Sequence, residues 1–173
     1  MMSVKKISIQ KIKREIFRMV KQDQQLRYAG KVDEIIDRAN TEKLKIIISQ
    51  IGWPKISQVG KKVATGAFLL VQHSVYDSSF QKKCLKLITE AAKIGEADAK
   101  LVPLLVDRIL VSEGKKQIYG TQFYKDKKSG QLMPRPIKNP SQVDKVRKSV
   151  GLEPLDSYQR ILNKSNKKIE DQK

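Results

Sequence analysis

Ile9, Ile12, Ile16, Met19 and Val20 recur at the spacing of one helical face, which predicts a first helix from about Ser8 to Leu26. The stripe does not end on an apolar residue. It leads into Asp23 and Arg27, four apart on the same line, before Gly30 breaks the element. A short segment with Val32, Ile35, Ile36 and Ala39 follows. Asn40 or Thr41 is then placed to cap a third helix that buries Leu44, Ile47, Ile48 and Ile51 and stops at Gly52. Trp53-Pro54 turns the corner, because proline lacks a donor and restricts its predecessor. From about Ser57 to Val75, Val59, Val63, Gly66 and Leu70 form the next stripe. His73 lies on or beside it, with Asp77 four positions on.

A helix from about Ser78 to Lys93 buries Phe80, Cys84, Leu87, Ile88 and Ala91. Gly95 separates it from a strongly apolar one over about Ala97 to Val111, with Pro103 near its start or at a kink. The period then changes. Gln117 to Tyr124 is rich in aromatic and β-branched residues and reads as a strand that pairs with Gln131-Leu132-Met133 across a turn at Ser129-Gly130. Asn139-Pro140 opens a helix to about Val150, with Gly151 as its stop, and a last short helix covers about Pro154 to Leu162. The expected fold is a mainly α single domain over residues 1–162, with six to seven helices and a small antiparallel hairpin at about 117–133. Residues 163–173, lysine-rich and poor in apolar side chains, are expected to be a disordered basic tail.

Composition narrows the setting. The chain has 173 residues, enough for a sizeable core, and its longest apolar run is far short of the roughly 18 residues of a membrane span. Its single cysteine, Cys84, excludes an intrachain disulfide. No apolar leader follows the charged start, so the cytoplasm is the expected location, and leaderless secretion would look the same. The net charge of +18 admits nucleic acid or another anionic partner without specifying one. Basic and acidic residues number 12 and 6 over 1–45, 9 and 6 over 46–114, and 15 and 6 over 115–173, so the excess sits at both ends. A solvated lysine face produces the same pattern. The oligomeric state is not legible.

The candidate chemistry lies in polar residues on apolar faces. Asp23 and Arg27 form a favourable i, i+4 pair; either they face water, or Asp23 orients Arg27 toward an anionic group. His73, the only histidine, would become a better base if Asp77 received one of its ring hydrogens. Gln24, Gln72 and Gln81 add local polarity. Asp107-Arg108 interrupts an apolar helix and must be paired or border a cavity. In an extended strand Gln117, Tyr119 and Thr121 would share one side and Gln122 the other, with Gly120 allowing close approach. Cys84 reads as a buried, inert thiol. One histidine with one aspartate is no zinc set, and no phosphate loop, dinucleotide fingerprint or paired-cysteine motif occurs, so neither metal nor cofactor is expected.

Taken together, Asp23-Gln24-x-x-Arg27, Trp53-Pro54, Phe68-Leu69-Leu70-Val71-Gln72-His73, Phe80-Gln81, Asp107-Arg108, Gln117-Ile118-Tyr119-Gly120-Thr121-Gln122, Pro134-x-Pro136-Ile137, Val143-Asp144 and Val150-Gly151-Leu152 resemble a bacterial family known as domain of unknown function 6624. The resemblance covers about residues 20–160. It implies that Asp23, Arg27, His73, Asp107, Gln117, Tyr119 and Gln122 belong to one pocket, and it implies no reaction. The family usually carries an aspartate two positions after the histidine, where this chain has Val75; Asp77 is a candidate substitute.

Two functions follow as expectations. The first is a hydrolase or group transferase for a small polar or anionic substrate. His73 would act as acid or base, Asp23 or Asp107 would orient it or activate water, and Arg27 would meet negative charge. Gln24, Gln72, Asp77, Arg108, Gln117, Tyr119, Thr121 and Gln122 would hold the substrate. The second is a binding module for a protein or nucleic acid through the basic surface, with salt-sensitive affinity that survives loss of His73.

Overall fold

The computed structural model describes residues 8–170, and the first residues of the chain and the last three of the expected tail lie outside them. The described chain is mainly helical, with eight α-helices and one two-stranded antiparallel hairpin. It divides into two compact units, one ending at Ala99 and the other beginning at Lys100.

The first unit holds five helices: α1 (Ile9–Tyr28), α2 (Glu34–Ile51), α3 (Ile56–Val59), α4 (Lys61–His73) and α5 (Ser78–Lys93). Helix α1 starts at the Ser8 cap, whose hydroxyl accepts from the Lys11 amide, and buries Ile12, Ile16 and Met19 as its period requires. Its stripe meets α4, where Gly66 leaves room for Val20: a Cβ at Gly66 would stand 2.8 Å from Val20 Cγ2. Helix α2 is one continuous element capped by Asp33, which accepts from the Ile35 and Ile36 amides. The expected break at Asn40 or Thr41 is absent, because both side chains are buried in mid-helix. Thr41 Oγ1 bonds back to the Asp37 carbonyl at 2.8 Å and reaches Ser74 Oγ at 2.7 Å, so its hydroxyl is satisfied without ending the helix. A second correction falls at Gly60, whose φ of 85° separates α3 from α4 where one helix is expected.

The second unit contains α6 (Leu101–Ser112), the hairpin strands β1 (Phe123–Lys125) and β2 (Leu132–Pro134), a 3-10 turn (Pro140–Gln142), α7 (Val143–Ser149) and α8 (Leu155–Glu170). Pro103 sits in the first turn of α6, where no intrahelical donor is needed. The strands pair Phe123 with Pro134, Tyr124 with Met133 and Lys125 with Leu132, so the ladder is shorter than expected and begins only after Gln122. Residues 117–122 form a looped segment, touching the sheet pattern only through an isolated bridge from Gln117 to Ile137. Helix α8 packs on β2, with Phe123 and Tyr158 meeting edge to face at 5.7 Å. It also continues beyond Leu162 to Glu170. Asn163, expected to open the tail, instead caps the edge of β2: its side chain accepts from the Leu132 amide at 2.7 Å and donates to the Leu132 carbonyl at 3.2 Å.

Candidate functional site

The apolar seam of α1 against α4 ends in charge. Asp23, buried on α1, places Oδ1 2.8 Å from His73 Nδ1 and 3.0 Å from Arg27 Nε. Its other oxygen accepts from Gln24 Nε2 at 2.8 Å. Arg27 Nη2 then forks onto both oxygens of Asp37, at 2.9 and 3.0 Å, and so ties the end of α1 to the start of α2. Asp37 is fixed in turn, because its backbone carbonyl accepts from Tyr76 Oη at 3.0 Å and from Thr41. Arg38 covers the Tyr76 ring at 4.2 Å.

His73 Nδ1 also lies 3.0 Å from Arg27 Nε, and both contacts cannot be hydrogen bonds at once. An unprotonated Nδ1 would accept from Arg27 but would face the Asp23 carboxylate lone pairs at 2.8 Å. A protonated Nδ1 donates to Asp23, while Arg27 Nε donates to the same oxygen. The second arrangement is favoured: it leaves two donors 3.0 Å apart that share one anionic oxygen, which costs less than two acceptors facing each other at 2.8 Å. Nε2 then becomes the basic nitrogen of the neutral ring. Among the described residues no hydrogen bond engages Nε2, and the side chain stays 18% exposed. Burial pushes the Asp23 carboxyl up, but hydrogen bonds from His73 and Gln24 and the neighbouring positive charges outweigh it, so its pKa falls below the ordinary value.

One ligand atom each from Asp23, Asp37 and His73 lies within 4.8 Å of the others, a spacing that one cation could use. The Arg27 guanidinium already donates into that space from the middle, so a metal would have to displace it. Asp77 is not the partner of His73. Helix α4 ends at His73, and the chain turns through Ser74 before Asp77, which caps α5 by accepting from the Phe80 amide at 2.9 Å and pairs with Lys45 at 2.7 Å. Those two contacts lower its pKa, the Lys45 bond most. Val75 is exposed. Gln72 is buried on α4, with both amide atoms unpartnered. Burial pushes the Cys84 thiol up to about 12, consistent with an inert core residue.

The second unit has a polar cluster of its own. Asp107 on α6 is fully buried, and its carboxylate accepts from the amides of Ile118, Tyr119 and Thr121 and from Thr121 Oγ1, all at 2.7–3.1 Å. Gln117 closes the same loop on itself: Oε1 accepts from the Gln122 amide, and Nε2 donates to the carbonyls of Gln122 and Arg135. Gln122 Nε2 reaches Thr121 Oγ1 at 3.2 Å and the Leu104 carbonyl at 3.4 Å. Arg147, 1% exposed, donates from Nη1 to Tyr119 O at 2.6 Å and from Nε to Glu153 O at 2.6 Å. The Tyr119 hydroxyl has its pKa raised by burial and then by the Asp107 charge. Arg108, half-buried, follows Asp107 on α6.

Two further candidates, Asp37 and Arg147, carry little signal in the sequence. Asp37 was hidden by the false helix break at Thr41; on one continuous helix it lies seven positions before Leu44, on the buried stripe. Arg147 carries no such signal, since it stands among Asp144, Lys145 and Lys148 and reads as part of a solvated face.

The first unit therefore presents an Asp–His pair braced by an arginine, and the second a loop wound around a carboxylate. A protein-family model matches residues 10–169, and the chain belongs to that family, described as a family of unknown function, DUF6624. No curated protein and no solved structure matches it.

Proposed function

We propose that the protein is a hydrolase or group transferase acting on a small polar or anionic substrate, with His73 as its general acid–base. The observation that carries this reading is the 2.8 Å contact between His73 Nδ1 and Asp23 Oδ1. A carboxylate on Nδ1 fixes the tautomer, turns Nε2 outward as the basic nitrogen and stabilises the imidazolium formed when Nε2 takes a proton. Atoms balance in a simple way. Nε2 removes a proton from water or from a substrate hydroxyl as that oxygen attacks, and the same nitrogen returns the proton to the leaving group. Arg27 spends Nε and Nη2 on Asp23 and Asp37. Its Nη1 makes no hydrogen bond among the described residues, and it supplies the donors that meet negative charge on the substrate. Asp23 and Asp37 are positioning residues: one sets the ring, the other the guanidinium.

The single histidine makes the test clean. The ring nitrogens of the wild type are expected to report a neutral form protonated at Nδ1, and Asp23→Asn to give a mixed or reversed tautomer. Against a panel of aryl phosphates and esters, His73→Asn should reduce turnover by about 10²–10⁴-fold while circular dichroism is unchanged. A wild-type ring protonated at Nε2, or turnover indifferent to His73, would sink the reading.

A further inference from the structure

Beside the buried stripe of α1 runs a second row, Phe17, Val20, Lys21 and Gln24, whose i, i+3, i+4 and i+7 spacing puts it on one face of the helix. With Lys62 and Val63 of α4 it lines a solvent-accessible cavity of about 220 Å³. Val20 and Val63 make part of the wall apolar. Phe17 is 49% exposed, and Lys62 Nζ stands 5.4 Å from its ring centroid. Neither Lys21 nor Lys62 forms an ion pair among the described residues, and no carboxylate lines the cavity. The cavity between α1 and α2 differs on this point: there Lys43 is answered by Glu15 at 3.7 Å, and both line it. Lys62 and Val63 also stand in the first turn of α4, where Gly60 gives no side-chain cap, so the helix dipole adds to the unanswered positive charge.

We propose that this α1–α4 cavity binds a small aromatic anion, and that its occupancy is felt at His73 through Gln24 and Asp23. Two lysines without a carboxylate between them select negative charge. The half-exposed Phe17 ring and the two valines select a flat apolar body, because ring pairs gain beyond the area they bury. The volume lies below that of drug-sized pockets and fits a single ring with its acid group. Gln24 is the link to the site. Its Nε2 donates one hydrogen to Asp23 Oδ2 at 2.8 Å, and its second N–H makes no hydrogen bond among the described residues. An anionic group that accepts from that second N–H draws the nitrogen away from Asp23, and so disturbs the carboxylate that holds His73 Nδ1. The binding itself does not depend on the acid–base reading of His73, whose ring serves here as a reporter.

The experiment is nuclear magnetic resonance on the intact, methyl-labelled chain, with benzoate, benzyl alcohol and acetate as probes at equal ionic strength. Benzoate at millimolar concentration is expected to shift the Val20 and Val63 methyls saturably, while the Ile46 and Ile47 methyls of the α1–α2 cavity stay still. Benzyl alcohol keeps the ring without the charge and acetate the charge without the ring, and each should bind at least about fivefold more weakly. Lys21→Gln combined with Lys62→Gln changes two exposed side chains, and should weaken benzoate about five- to tenfold, to the level of benzyl alcohol. The His73 ring signals should move with benzoate in the wild type and stay still in Gln24→Leu, where the methyl shifts persist. The proposal is overturned if benzoate moves no methyl of the cavity, or moves Ile46 and Ile47 as strongly. It is overturned equally if either partial probe, or the double lysine variant, matches the wild type with benzoate. A His73 ring that is silent in the wild type, or responds alike in Gln24→Leu, overturns the link through Gln24.

Discussion

Asp23 in the first unit and Asp107 in the second are both buried aspartates on helices, and both accept several hydrogen bonds. Their partners differ in kind. Asp107 is surrounded by the backbone amides of Ile118, Tyr119 and Thr121, whose single hydrogens are spent once bonded, and by the Thr121 hydroxyl. Asp23 binds the ends of side chains, His73, Arg27 and Gln24, and two of these keep a nitrogen in reserve. A carboxylate that consumes backbone donors shapes a loop, whereas one that holds side chains by one end leaves their other end unengaged. The same residue type thus serves construction in one unit and orientation in the other.

The sharpest way to break the comparison is at Asp107. Asp107→Ala strands the amides of Ile118, Tyr119 and Thr121 together with the Thr121 hydroxyl and should destabilise the fold by about 3–5 kcal/mol. Hydrogen exchange should show protection lost at Ile118, Tyr119 and Thr121, and Asp107→Asn, which keeps one acceptor, should restore part of it. Next comes Arg147→Met, which abandons the carbonyls of Tyr119 and Glu153 and should cost about 2–4 kcal/mol in urea unfolding. Part of the loss is offset because desolvation of the guanidinium, the main cause of its lowered pKa, is relieved. Neither change should alter the His73 tautomer; if either does, the contrast between the two carboxylates is too simple.

A smaller effect is expected from pH. The folded pKa of Asp23 lies below the ordinary 3.8, so its contribution is complete above that value and is lost as pH falls through the lower folded value. Asp77 behaves in the same direction. Stability measured downward from pH 5 should therefore fall less steeply in Asp23→Asn than in the wild type, with the Asp77 share retained. Equal slopes would mean that the histidine contact does not hold the carboxylate charged.

Most helices were legible because their apolar stripes are regular, as in α1 and α5. The Asp23–Arg27 half of the site was legible for the same reason: the charges continue a buried stripe. What failed was inference across helix ends. Asp77 stands four positions from His73, but the spacing means adjacency only if the helix persists, and α4 stops at His73. Asp37 failed the opposite way, since Thr41 looks like a cap when its hydroxyl is in fact satisfied inside α2. The 117–122 segment has strand composition, yet the donors that shape it come from its own backbone and the acceptor from a helix ten residues earlier. No local period encodes that pairing.

Gly66 gives the site a mechanical tolerance. It lies two turns before His73 on α4, and Val20, its neighbour across the seam, lies one turn before Asp23 on α1. The separation of the two helices is gauged there by an absent methyl group, and valine on a helix has little rotational slack with which to yield. Gly66→Ala acts as a shim of one carbon atom. It should leave the helices intact yet spread the far end of the seam by a few tenths of an ångström, about the margin that separates a 2.8 Å charge-assisted bond from a weak one. The spacing of the Asp23–His73 pair would then be adjustable from two turns away, read out as a blurred His73 tautomer in a folded protein.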